Sequence, residues 1–153
     1  FECLMVGHGD REGVVEQYQR QVRDCGLEDR FRFTGRLRGR DKFQAYADSD
    51  VYLFPSWTEG CPTSVLEALG SGLFVISTDV GALNDIIREG DNGLIARQKD
   101  AEHLAERMCW ACENIEDIRG RRSSIQRDAE DRYEATVVCR QFKQIYSDLI
   151  DGK

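Results

Sequence analysis

Long apolar runs, positive charge and paired metal-binding motifs are what this 153-residue chain has least of. No apolar stretch approaches the roughly 20 residues needed to cross a bilayer, so no transmembrane segment is expected. No pattern of charged, apolar and small residues opens the chain as a secretory leader would. Lysine and arginine number 21 against 28 aspartates and glutamates, a formal net charge of -7. A chain this acidic, with no face basic enough to displace counterions, is not expected to bind nucleic acid. Internal repeats, low-complexity tracts and linkers are missing too, so a single domain over residues 1–153 is the economical count. What remains, at 41% hydrophobic and 32% charged residues, is the composition of an ordinary globular chain and not of a disordered one.

Six cysteines are present, Cys3, Cys25, Cys61, Cys109, Cys112 and Cys139. Four fall where helix or strand periodicity asks for a small apolar residue, which points to reduced thiols in a cytoplasmic protein and not to a disulfide scaffold. Cys109 and Cys112 form a CxxC inside a helical pattern. With no second pair and no preceding strand, that spacing does not support zinc or redox chemistry, and no metal site is expected.

Read in order, strands and helices alternate. Phe1 to Val6 is an apolar run ending in the turn Gly7-His8-Gly9-Asp10. Val14, Val15, Tyr18, Val22 and Cys25 then recur at helical spacing up to Gly26, a C′ residue. Phe31 to Phe33 is a second strand, turned by Thr34-Gly35 into the basic loop Arg36-Leu37-Arg38-Gly39-Arg40. These arginines face a phosphate or base, or they are a solvated turn. Asp41 is read as the cap of the next helix, through Phe43, Tyr46 and Ala47. Asp50 to Phe54, Phe74 to Ser77 and Leu94 to Ala96 are further strands, with a short helix at Leu83 to Arg88 and the turn Glu89-Gly90-Asp91-Asn92-Gly93 between the last two. Asp100 opens a longer helix with Leu104, Met108, Cys112 and Ile115 in register. Arg119 to Arg132 reads as a solvated helix. Ala135 to Ile150 reads as an amphipathic one, with Val138, Phe142, Ile145 and Leu149 on its apolar face.

The stretch that organises the chain is Pro55 to Gly72, PSWTEGCPTSVLEALGSG. A buried strand ends there, a polar turn follows, and a helix opens at about Pro62. The first amides of a helix lack internal partners and sit at the positive end of its dipole, so this is an anion site with phosphate as the natural guest. Glu59 lies in the turn and Glu67 one turn inside the helix, on the face of Thr63. Acceptor-only carboxylates suit hydroxyls, so a diphosphate linked to a ribose and a sugar would fit. A plain helix with acidic residues near its positive end is the other reading.

The same stretch resembles the P-S-x-x-E-G signature, with its second glutamate and E-A-x-x-x-G, of retaining, nucleotide-sugar-dependent glycosyltransferases of the GT-B fold, the group 1 or family 4 type. Leu4 to Gly9, Arg30 to Gly35, Ala47 to Ser56, Phe74 to Thr78 with Gly81, and Glu89 to Leu94 are similar to further elements of that family, in family order. The resemblance implies a Rossmann-like α/β fold, a mostly parallel sheet with helices on both faces. It is that of the C-terminal, donor-binding domain, lacking its first βα unit.

Position by position, the resemblance implies that Glu59 contacts the donor sugar and acts catalytically, by positioning and charge stabilisation. It puts Glu67 on the ribose hydroxyls. Gly60, Cys61, Pro62 and Thr63 would hold the diphosphate, Gly35 and Arg36 would lie beside the base, and Gly7 and Gly9 would leave room for the ligand. The implied substrate is a UDP- or GDP-linked sugar, with no other cofactor and no metal, because helix amides stabilise the leaving diphosphate. The acceptor sugar, lipid or glycan would be held by an N-terminal domain outside this chain, and the full protein would be cytoplasmic or peripheral at the inner membrane. Without the first strand of the family, the strands at Phe1 to Val6 and Asp50 to Phe54 must pair directly or keep unpaired edges.

Cys61-Pro62 stands where many relatives carry an aromatic residue and a glycine. The proline removes one phosphate donor, and Cys61 at a helix start is either a reactive thiol or a buried inert one. Two other readings of the residues stay open: a non-catalytic nucleotide-binding module, and a glycoside hydrolase using Glu59 and Glu67. A lysine-bound cofactor enzyme is disfavoured, since none of the four lysines, Lys42, Lys99, Lys143 and Lys153, lies on a strand-to-helix turn beside the central motif.

Overall fold

The computed structural model of the protein describes residues 1–9 and 11–152; Asp10 of the first glycine turn lies outside them. The chain forms two compact units, Phe1–Ala45 and everything from Tyr46 onward. In the first, β1 (Cys3–Val6) and β2 (Phe31–Gly35) pair in parallel with Cys3 opposite Phe31, through the crossover helix α1 (Val14–Asp24) and a short 3-10 turn, Glu28–Arg30. α1 ends as its Gly26 implies. The Gly26 amide donates to Arg23 O at 2.8 Å and the Leu27 amide to Val22 O at 3.0 Å, the reciprocal pair of a Schellman stop.

Helix α2 (Gly39–Ala47) begins two residues before the position read as its cap, so Asp41 sits in its first turn instead. From Tyr46 on, the chain builds β3 (Val51–Phe54), α3 (Thr63–Gly70), β4 (Phe74–Thr78), α4 (Leu83–Ile86), β5 (Gly93–Ala96), α5 (Ala101–Glu113), α6 (Ile115–Tyr133) and α7 (Ala135–Ile150). The sheet order is β3-β4-β5, all parallel. Every residue of β4 is buried, as a central parallel strand covered on both faces requires. Among the described residues β1 pairs with β2 and β3 with β4 alone, so each is an edge strand of its own sheet, and direct pairing between them does not occur. The expected α/β class with parallel pairing and flanking helices is the one observed.

The turn before β5 shows why asparagine stands in it. Asn92 is buried, its Oδ1 accepting from the Arg88 amide at 2.7 Å and its Nδ2 donating to Ile86 O at 3.2 Å. A buried amide with both ends bonded fixes the turn without cost from unsatisfied polar atoms.

Two helical readings need correction. On α5 the buried stripe runs through Leu104, Trp110 and Ala111, with Trp110 stacked on Phe74 at 6.0 Å, while Met108 and Cys112 face outward. α6 is not merely solvated. Ile118, Ile125 and Ala129 are buried, and α6 packs on α3 and β4. On α7 the apolar residues Phe142, Ile145 and Leu149 are exposed. Nor are the thiols buried as small apolar groups: Cys3 is half-buried and the other five are exposed, all six free.

The charged character of α6 hid its main structural contact. The Arg122 guanidinium donates to Ser49 O at 2.8 Å, Tyr46 O at 3.2 Å and Ser71 O at 3.0 Å. Those carbonyls lie at the end of α2 and at the C-cap of α3, the negative ends of the helix dipoles. Gly72 makes the approach possible, because a Cβ there would meet Arg122 Cγ at 2.6 Å and its carbonyl oxygen at 2.8 Å. Replacing Arg122 by alanine is expected to cost about 2–3 kcal/mol in chemical denaturation, the value of charge-assisted hydrogen bonds from a half-buried guanidinium. Arg122→Lys, with a single donor centre, should recover less than half of that. A loss under about 0.5 kcal/mol in Arg122→Ala would show that water replaces the guanidinium.

Candidate functional site

The centre of the second unit's site is the loop between β3 and α3. Its backbone is tied to the next strand and turn at three points. The Ser77 hydroxyl donates to Phe54 O at 2.9 Å, the Thr78 hydroxyl to Ser56 O, and the Ala82 amide to Gly60 O at 2.9 Å. Because Ser77 and Thr78 belong to the buried central strand, the loop takes its position from the most rigid element of the sheet.

Glu59 is half-buried in this loop, and Ser56 donates to its Oε1 at 3.0 Å. Glu67, on α3, faces Tyr46, whose hydroxyl lies 3.4 Å from Glu67 Oε2 and 3.4 Å from Ser64 O. Burial, with Tyr52 and then the Glu67 carboxylate beside it, pushes the Tyr46 phenol well up from its usual value. The phenol therefore stays protonated and serves as a donor across the whole working range of pH. Each glutamate thus has a neutral hydroxyl orienting one of its oxygens.

Between the glutamates, Gly60 and Cys61 are exposed, Pro62 is buried at the N-cap of α3 with φ -72° and ψ 113°, and Thr63 is exposed. Pro62 offers its carbonyl to the Val65 amide at 3.1 Å but no side-chain oxygen, and no side chain caps α3. The Thr63 and Ser64 amides keep their donor capacity, as the sequence implied. Proline at the cap and not inside the helix means that it withholds no amide from the first turn. Cys61 is exposed, which removes the buried-thiol alternative.

The remaining candidates lie in the first unit, at the C-terminal end of its parallel pair. The Gly7 amide donates to Gly35 O at 2.9 Å, and the Thr34 hydroxyl to Gly35 O at 2.9 Å. Gly9 packs directly against Val14 at the start of α1. Arg36 is exposed and, among the described residues, forms no ion pair, so its guanidinium is available. No cluster of three or more His, Cys, Asp or Glu suited to a metal ion occurs among the described residues, and none of their helices is long and apolar enough to cross a membrane.

Reading the sequence missed Ser56 and Tyr46 as orienting groups. Ser56 was findable, since Ser-x-x-Glu is the spacing at which a hydroxyl meets a carboxylate three residues on. Tyr46 was not, because its partner is 21 residues away and nothing local marks it as other than an apolar helix residue.

Comparison with known proteins places these features. The family described as "Glycosyl transferases group 1" matches residues 1–114. The amylovoran biosynthesis glycosyltransferase AmsK of Erwinia amylovora is 26% identical over 156 residues, spanning 97% of this chain and 37% of its own length. Among solved structures, HepE of Anabaena in complex with UDP superposes with a TM-score of 0.83 at 22% identity, over 96% of this chain and 41% of that one. The C-terminal domain of a group 1 glycosyl transferase, LpcC of Francisella tularensis, superposes with a TM-score of 0.75 at 21% identity, over 88% of this chain and 70% of that one. At such identities the two structures show a common fold. The chain spans well under half the length of AmsK and of HepE.

Gly81 tests whether the loop depends on the β4–α4 turn. It adopts φ +53°, and a Cβ there would fall on the carbonyl oxygens of Glu59 and Gly60. Gly81→Ala is expected to cost about 2 kcal/mol or more through overpacking and backbone strain, and to move the amide resonances of residues 56 to 63 in NMR spectra. An unchanged denaturation midpoint with unmoved resonances would refute the pinning.

Proposed function

The chain belongs to the group 1 glycosyl transferases, and from that membership we propose that it is their donor-binding half, holding a nucleoside diphosphate sugar for transfer with retention at the anomeric carbon. The observation that carries this reading is the pair of hydroxyl-oriented carboxylates, Glu59 on Ser56 and Glu67 on Tyr46, on either side of the uncapped start of α3. That arrangement offers acceptors for sugar and ribose hydroxyls and amide donors for a diphosphate, in chain order. The solved complexes of HepE with UDP and with UDP-glucose support a uridine nucleotide as the first ligand to try.

In this reading the bond between the anomeric carbon and the diphosphate oxygen breaks while an acceptor hydroxyl adds to the same face. The Thr63 and Ser64 amides, with the Thr63 hydroxyl, stabilise the leaving diphosphate as charge builds on it, and Gly60 and Cys61 shape the approach. Glu59 fixes the sugar and offsets positive charge at the anomeric carbon, without forming a covalent bond. Glu67 anchors the ribose. In the first unit, Gly35 and Arg36 are assigned to the base, with Gly7 and Gly9 as glycines of the turn beside β1. Most of the acceptor's binding is assigned to a separate domain, and the isolated chain is then expected to bind nucleotide without transferring sugar.

Calorimetric titration with UDP, GDP and ADP tests the assignment. One of the three should bind, and Glu67→Ala should weaken it by about 1–3 kcal/mol, the cost of losing hydrogen bonds to a charged group. Tyr46→Phe should weaken it less, since the carboxylate remains but loses its orienting donor. Failure of all three nucleotides to bind, or equal affinity in Glu67→Ala, would overturn the site.

A further inference from the structure

The donor reading uses Ser56 and the residues from Glu59 onward, and leaves Trp57 of the same loop without a role. Trp57 is 67% exposed, while the other tryptophan, Trp110, stacks on Phe74. The backbone that carries Trp57 is anchored on both sides, at Ser56 O by the Thr78 hydroxyl and at Gly60 O by the Ala82 amide. A large apolar side chain is thus presented to solvent from fixed backbone, two residues from Glu59.

The loop between β5 and α5 meets it. The Lys99 ammonium lies 5.7 Å from the centroid of the Trp57 ring. Lys99 is the one non-glycine residue with positive φ among those described, at 56°. Its neighbours hold it in that conformation. Gln98 donates its side-chain amide to Asp79 O, and Asp100 caps α5 by accepting the His103 amide at 2.9 Å.

On this edge Arg97 is paired with Asp100 at 2.8 Å, and the Asp79 carboxylate is hydrogen-bonded to the neutral side-chain amide of Asn84. Lys99 makes no ion pair among the described residues. On the other side of Gln98 a cavity of about 280 Å³ is lined by Asp79, Ile95, Ala96, Arg97, Gln98 and His103. His103 Nδ1 accepts from the Arg97 amide at 2.9 Å, so in the neutral ring Nε2 carries the proton and is a donor.

We propose that Trp57 and Lys99 form a subsite for a pyranose ring that carries a negative charge. The Lys99 ammonium, which lies over the ring in a cation–π contact, turns to the carboxylate or phosphate of the sugar, and the indole face takes the sugar's C–H face. A neutral apolar partner would desolvate the ammonium without an anion to meet it, and a bare anion would leave the indole exposed; an anionic sugar satisfies both. The inference rests on the glycosyltransferase reading for its purpose, since it makes the acceptor an acidic or phosphorylated glycan whose sugar docks beside Glu59.

The test follows the Trp57 indole N–H signal by NMR, identified by its loss in Trp57→Phe, during titration with methyl glucuronide, glucose 1-phosphate, methyl glucoside and inorganic phosphate, each with and without UDP. The anionic sugars should shift the signal at millimolar concentrations, at least one of them tenfold more tightly than methyl glucoside. Inorganic phosphate should not shift it. Which of the two binds more tightly separates a uronate from a phosphorylated sugar. Lys99→Gln should weaken that binding at least fivefold and leave UDP affinity and the denaturation midpoint unchanged. Equal binding of methyl glucoside, or no effect of Lys99→Gln, would overturn the subsite. Nucleotide binding without any response to anionic sugars would sink this inference alone, and a response to anionic sugars with no binding of UDP, GDP or ADP would sink the donor reading alone.

Discussion

The second unit depends most on one buried arrangement of a charge against backbone. The Arg122 guanidinium, half-buried on α6, closes three carbonyls at the ends of α2 and α3. Helix ends buried without partners are costly, and a planar cation with several fixed donors is the group best shaped to satisfy several at once. The contact also sets the separation of α6 from α3, which Gly72 permits by having no side chain. With α6 in place, Ile118, Ile125 and Ala129 close the core over Leu69, Leu73 and Phe74. The Arg119–Asp50 pair, with two nitrogen–oxygen contacts of 3.0 and 3.1 Å, ties the same helix to the entrance of β3.

From that core the site is built outward through β4. The strand is buried at every position, yet its last two side chains are hydroxyls, Ser77 and Thr78, and both are spent on the backbone of the neighbouring β3 and its loop. Buried hydroxyls at the C-terminal end of a central strand need partners. The partners they find are the carbonyls that fix where Glu59 emerges. Preorganisation of a carboxylate is thereby derived from strand packing, with Ser56 and Tyr46 adding the final orientation. In this division the amides at the start of α3, proposed above to hold a diphosphate, are set by α3 itself while the flanking acceptors are set by the sheet and by α2.

Much of this was readable in the chain. Parallel strands follow from short apolar runs such as Phe74 to Ser77 spaced by helical patterns, and the stops and starts follow from residues such as Gly26, Pro62 and Asp100 whose chemistry is local. The anion-ready turn and the two glutamates were legible for the same reason, because strand end, turn and helix start are consecutive in sequence. The helices after Asp100 were read less well. Met108 and Cys112 have helical spacing but lie beside the buried stripe. α6 is so rich in charge that its three buried residues were lost among them. α7 forms over the residues read as an amphipathic helix, and its apolar residues Phe142, Ile145 and Leu149 are exposed.

By itself the sequence determined the order and type of the elements, the family, and the identity of the carboxylates at the helix start, all of which depend on neighbours within a few residues. Only the tertiary structure decided which side chains orient them and which charges are spent on backbone. Tyr46 reaches Glu67 across 21 residues and Arg122 reaches Ser49 across 73. Such contacts leave no periodicity, since their geometry exists only once helices have packed, and a tyrosine or arginine reads the same in sequence whether it faces solvent or closes a helix end.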